Sequence, residues 1–302
     1  MRWENRRRSS NVEDRRGQNS SPVNAAMGGG MALRLLPMLL KSKGGRTLLI
    51  IGVAVFFGAR MLGIDLMPLV TDQQVATTSA PAKLSAEQQR LREFVSVILA
   101  DTEDTWSDIF AKQGQRYQPP KLVLFSNYVQ SACGSANAAV GPFYCPADRK
   151  VYIDLSFYHD LKTRYKAPGD FAQAYVIAHE VGHHLQTLLG ISSQVRQAQQ
   201  GKSKAQQNQL SVRQELQADC FAGVWGHHAD RYRQMLAPGE MQQALTAAAA
   251  IGDDRLQKQA TGTVTPDSFT HGTSEQRMRW FKLGFDNGDM AQCDTFKSGV
   301  RL

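Results

Sequence analysis

A chain of 302 residues, 42% hydrophobic and 21% charged, has room for one or two domains and a substantial buried core. Its formal charge of +8 invites a nucleic-acid reading, but ten Lys and Arg fall within residues 1–46 against only Glu4, Glu13 and Asp14. That stretch carries +7 and the rest of the chain only +1, which excludes a basic nucleic-acid footprint on the remainder.

Residues 1–46, rich in Ser, Asn and Gly besides arginine, read as a leader that is largely disordered in isolation. An apolar run follows over Leu48–Leu69, with an uncharged core from Leu48 to Ala59 that is short for a bilayer span. Arg60 can snorkel to the interface and extend it, so residues 47–70 are expected to form a single transmembrane helix. Basic residues before the run place the N-terminus in the cytoplasm and everything after it outside. A cleaved signal peptide competes, but the basic region is far longer than usual and no small-residue cleavage site is evident. A buried core helix is the plain alternative. The earlier apolar run Met31–Leu40 is interrupted by Arg34 and Pro37 and is too short to span.

Residues 71–83, with Gln, Thr, Ser, Ala and Pro81, read as a linker, which leaves 84–302 as the main domain. Ser85 and Gln88 form a capping box ahead of Leu91, Phe94, Val95, Ile98 and Leu99 at helical spacing, predicting an amphipathic helix from Ser85 to about Phe110. Pro119-Pro120 breaks the chain. Lys121–Phe125 and Val151–Leu155 are strands by composition.

The stretch Ala174–Gln186 contains His179-Glu180-Val181-Gly182-His183 among good helix formers. Asp170 stands at the expected N-cap and Gly190 at the expected stop. Residues four apart on a helix share a face, so His179 and His183 can offer two imidazole nitrogens to one metal ion. Glu180 lies beside that ion as a general base and acid. Tyr175, Val176, Ile177, Val181 and Leu185 would clamp the helix into a core. An accidental His-Glu-x-x-His on a solvated helix would not be apolar on both sides.

Two imidazoles need a third protein ligand. Ser211–Ala222 reads as a second helix in which Glu215 and Asp219 lie four apart. Glu215 is the candidate ligand, and Asp219 can accept the other ring N–H of a ligating histidine. Small Ala218 and Ala222 would allow close approach of the two helices. Glu215 and Asp219 as plain surface charges is the competing reading. Ile191–Gln209, rich in Gln, Ser and Lys, is either a helix extension or a flap over the cleft. The second helix should run on through Trp225 to about Tyr232, with His227 and His228 as surface residues. Another helix opens at Pro238-Gly239-Glu240 and ends near Gly252. Thr273 with Gln276 caps a last helix whose Trp280 and Phe281 pack inward.

Cys133, Cys145, Cys220 and Cys293 all follow the apolar run, and an even number on an oxidising side suggests two disulfides. Cys133 with Cys145 would close a short loop, leaving Cys220 with Cys293, for which free thiols stay an alternative. No Cys-x-x-Cys occurs, which disfavours a cysteine zinc site.

His179–His183 followed by Glu215-Leu-Gln-Ala-Asp219 resembles the Glu-zincin arrangement of thermolysin-like peptidases. The whole chain resembles more closely the neutral zinc metallopeptidase family of bacteria. It shares the opening Met1-Arg2-Trp3-Glu4, Asn11–Gly17, Phe143-Tyr144-Cys145-Pro146 and Thr270-His271-Gly272. The resemblance implies an α+β, zincin-like domain, mostly helical with a small sheet, behind one transmembrane anchor of the bacterial inner membrane. Zn2+ would be held by His179, His183 and Glu215, with Asp219 behind them and a protein or peptide as substrate. In zincins a strand edge beside the motif helix holds the substrate, and Val151–Leu155 is placed to do so by chain order. His271 resembles the histidine of a Thr-His-Pro segment in membrane-associated Glu-zincins, which implies a donor to the oxyanion; Gly272 stands where the proline would be. A histidine bonded locally to its turn is the alternative. Two other classes remain as readings: a zinc-stabilised tethered scaffold without activity, and a protein whose basic leader is the active part on anionic lipid.

Overall fold

The structure, a computed structural model, describes residues 1–17 and 84–302, which form one compact unit. The expected anchor at 47–70 and linker at 71–83 lie outside the described residues. Among the described residues no helix is long and apolar enough to cross a membrane.

The elements run β1 (Val12–Asp14), α1 (Ala86–Lys112), β2 (Lys121–Phe125), β3 (Tyr128–Ser131), β4 (Gly134–Asn137), β5 (Phe143–Cys145) and β6 (Lys150–Asp154). There follow α2 (Ser156–Thr163), α3 (Asp170–Leu188), α4 (Ile191–Gln199), α5 (Lys204–Arg231), α6 (Met241–Ala250), α7 (Asp253–Thr261) and α8 (Ser274–Asn287). The described fold is mostly helical with a small sheet, the α+β class read from the sequence. The sheet has the order β1-β2-β6-β5, with β1, β2 and β6 parallel and β5 antiparallel on the edge. β3 and β4 form a separate hairpin.

The capping boxes at Ser85/Gln88 and Thr273/Gln276 form, and a third, Ser203/Gln206, starts α5 earlier than its apolar periodicity suggests. Ile191–Gln209 folds as α4 and the first turns of α5. Both expected disulfides form, Cys133–Cys145 and Cys220–Cys293.

The core lies where α3, α5 and α8 pack together, with α1 and the sheet closing its other side. Two close approaches depend on glycine. A Cβ on Gly182 of α3 would stand 2.9 Å from the Ala218 carbonyl oxygen of α5, and one on Gly284 of α8 would stand 2.0 Å from that of Cys220. Only the absence of a side chain lets the backbones come so near.

The first residues depart from expectation. Met1–Gly17 is an integral part of the domain and not a detached leader. β1 adds to the sheet beside β2 in register Val12↔Leu122, Glu13↔Val123, Asp14↔Leu124. Trp3 is 4% exposed and packs edge-on to Phe94. The arginines that looked like a solvated run find carboxylates. Arg7 pairs with Glu103 and Asp104, Arg8 with Glu93, and Arg16 with Asp14. Composition signals disorder only when the charges have no partners elsewhere in the chain.

Candidate metal centre

Helix α3 begins after Gly169, whose φ of +119° breaks the preceding chain, and ends at Gly190 in the left-handed region. Asp170 is therefore the first helical residue and not the N-cap, and its carboxylate still favours the positive helix start. Phe171, Ala174, Tyr175, Ile177, Ala178, Val181 and Leu185 are buried, so α3 is gripped along most of its surface. His179 and His183 stand one turn apart with ring centroids 4.8 Å apart. Glu215, on α5, meets both: its Oε2 is 3.2 Å from His179 Nε2 and its Oε1 is 3.4 Å from His183 Nε2. One ligand atom from each of the three residues lies within 4.8 Å of the others.

The far side of each imidazole decides what the near side can do. His179 Nδ1 donates to Asp219 Oδ1 at 2.8 Å, and His183 Nδ1 donates to Gln186 Oε1 at 2.9 Å. The Gln186 amide is itself oriented, because its Nε2 donates to the Gln214 carbonyl and to Gln217 Oε1. With both protons at Nδ1, the neutral rings aim Nε2 lone pairs at a carboxylate that carries only lone pairs. Converged in this way, the three groups are satisfied either by a proton held on an imidazole, which then donates Nε2–H to Glu215, or by a metal ion among them. Two imidazoles and one carboxylate are a zinc donor set, so the residues fit the metal.

Behind the ligands is a buried ionic network. Arg277 of α8 is 2% exposed and donates Nε to Asp219 Oδ2 at 2.9 Å, while its Nη2 reaches Asp219 Oδ1 and the Tyr175 hydroxyl. Tyr175 donates in turn to Asp219 Oδ1. Burial opposes ionisation of Asp219, yet Arg277 and His179 hold its carboxyl down at about 2. Burial likewise disfavours a charged His179, but Asp219 and Glu215 raise it to about 10 in the absence of metal. The Glu180 carboxyl is pushed up by burial, with His183 and His179 pulling the other way.

Glu180, Glu215 and both histidines line a cleft of about 490 Å³, to which Val140, Phe143, Phe157 and Tyr165 contribute apolar surface. Val140 is 62% exposed at this rim. His271 also lines the cleft, with its side chain 52% exposed and its Nδ1 3.3 Å from Asp253 Oδ1. It is bonded locally, to Asp253 and Thr270, and open to the cleft at the same time. Burial counters but does not cancel the Asp253 hydrogen bond, which leads in raising the His271 pKa. His227 and His228 instead bond the carbonyls of Phe285 and Gly288, away from the cluster.

The strand assigned to the cleft edge by chain order is corrected. β6 is paired on both sides, by β2 and β5, and has no free edge. β5 is the edge strand, and its Phe143 and Tyr144 line the cleft. Sequence reasoning also missed Gln186, Arg277 and Asp253. Gln186 stands three residues after His183, a spacing that could have flagged it. Arg277 and Asp253 come from distant helices and carry no local signal.

The family described as "Putative neutral zinc metallopeptidase" matches residues 1–296. The chain is 53% identical over 300 residues to YpfJ, an uncharacterized protein of Escherichia coli K12; the match covers 99% of this chain and all of the relative. It is 38% identical over 258 residues to Rv2575, an uncharacterized protein of Mycobacterium tuberculosis, covering 80% of this chain and 85% of that one. No solved structure matches. With the family spanning the His-Glu-x-x-His helix, Glu215 and the first residues alike, the chain belongs to the neutral zinc metallopeptidase family.

Proposed function

We propose that the protein is a zinc-dependent endopeptidase whose metal is held by His179, His183 and Glu215. The observation that carries the reading is the convergence of both Nε2 atoms on the Glu215 carboxylate, each ring fixed from behind by Asp219 or Gln186. Zinc bound there supplies Lewis acidity, lowering the pKa of water and polarising the scissile carbonyl.

The chain's own residues do the rest. Glu180 follows His179 on α3 and lines the cleft; burial raises its proton affinity, which suits a group that takes a proton from attacking water and returns it to the leaving amine. His271 lines the same cleft with Asp253 behind its Nδ1, a support that favours the charged imidazole and donation to a developing oxyanion. Asp219, held by Arg277, keeps His179 oriented. The edge strand β5 supports binding of substrate as an extended peptide, and the wall of Val140, Phe143, Phe157 and Tyr165 favours an apolar side chain beside the cleaved bond. The two disulfides support a place on the oxidising side of the bacterial inner membrane.

The test is metal removal and return on the full chain. Chelation should abolish hydrolysis of unstructured peptides, and one equivalent of zinc should restore it. Hydrolysis that persists in the chelated protein would refute the proposal.

A further inference from the structure

We infer that residues 1–17 and the candidate metal centre occupy the same compartment. The inference is independent of the peptidase reading and rests on the way the first residues are built into the domain.

β1 is a sheet strand, not a surface adornment. Asn11 accepts from Leu122 N at 2.9 Å and Arg15 N donates to Leu124 O at 2.8 Å, which brackets the parallel pairing of β1 with β2. Ser9 N donates to Ser96 O at 3.0 Å, and Ser96 Oγ returns a bond to Ser9 O at 3.1 Å. Trp3 Nε1 donates to Asp170 Oδ2 at 3.0 Å, at the first turn of the helix that carries His179 and His183. Glu103, 8% exposed on α1, accepts from Arg7, Ser9 and Asn11. Strands pair and carboxylates bond only across direct contact, and a membrane some 30 Å thick admits neither.

The consequence concerns the apolar run at Leu48–Leu69. A single crossing there would place residues 1–17 and the domain on opposite faces and dismantle β1. Part of the basic charge read as orienting such an anchor has another role; Arg34, Lys41, Lys43 and Arg46 lie outside the described residues. Six of the ten, Arg2, Arg6, Arg7, Arg8, Arg15 and Arg16, lie within residues 1–17. Arg7, Arg8, Arg15 and Arg16 pair with carboxylates of the folded unit, and Arg6 donates to the Arg233 carbonyl. The charge of these five arginines serves the fold and says nothing of which side faces the cytoplasm. Since both disulfides belong to the same unit, the first residues share its oxidising surroundings.

The test uses the full chain expressed in a bacterium, in spheroplasts. A carbodiimide joins a carboxylate and an amine only where they already touch. Lys150 Nζ lies 3.1 Å from Glu13 Oε2, across the two parts in question, and Lys282 with Asp286 of α8 provides an internal positive control. Mass spectrometry should find the Glu13–Lys150 link within one chain. In parallel, Glu4→Cys and Lys258→Cys, both at exposed positions, should react with a membrane-impermeant maleimide under the same conditions, either both before or both only after permeabilisation. The control link without the Glu13–Lys150 link overturns the inference. So does labelling of the two cysteines from opposite sides.

Discussion

His183 and His184 are neighbours with opposite tasks. His183 turns Nε2 to Glu215, whereas His184 is buried between the Tyr144 hydroxyl at 3.1 Å and the Gln118 carbonyl at 2.6 Å. Burial leads in depressing the His184 pKa to about 4, against 6.5 for a free imidazole. Between those values the unfolded chain binds a proton that the folded chain refuses, so stability falls as pH drops through that window, by up to about 3 kcal/mol. Denaturant unfolding at pH 7 and pH 4.5 should show this slope, and His184→Gln should lose that share of it. An unchanged slope would show that His184 is not held neutral. At this scale the sequence was legible where chemistry follows spacing: His179 and His183 lie four apart on one helix, and Glu215 and Asp219 four apart on another. It was not legible for Arg277, because a buried guanidinium is recognisable only by the carboxylate that faces it, 58 positions away.

Helix α3 is positioned by its contact with α5, and that contact depends on Gly182, inside the metal motif itself. Gly182→Ala would push a methyl group to 2.9 Å from the Ala218 carbonyl, forcing apart the two helices that carry His179, His183 and Glu215. A stability loss of about 1–3 kcal/mol is expected, together with weaker zinc binding. Chemical denaturation and zinc titration check both parts, and a variant with native stability and zinc affinity would contradict the account of the helix contact. The start and stop signals of α1 and α8 were readable because capping boxes are local. Which strand forms the sheet edge was not, because pairing order is decided by contacts distant in sequence: β6 follows β5 in the chain yet lies between β5 and β2.

The described unit is closed by its first residues. Trp3 fills core space against Phe94 and ties the start of α3 through Asp170, so Trp3→Ala should cost about 3–5 kcal/mol. A detached leader would tolerate the same change without effect, and the unfolding midpoint distinguishes the two. For the same reason a fragment beginning at Leu84 leaves Glu103 without Arg7, Ser9 and Asn11, and the intact chain is the proper object of functional work. The composition of residues 1–17 resembles that of disordered tails, and only their complementarity to α1 and β2 shows otherwise. The central claim, that this fold assembles a zinc peptidase around α3 and α5, is tested most directly by comparing wild type and Glu180→Gln as full chains, each assayed for bound zinc and for peptide hydrolysis. Both should bind one zinc, and the variant should lose at least about a hundredfold in kcat. Equal turnover by the two proteins, or failure of the wild type to bind zinc, would contradict it.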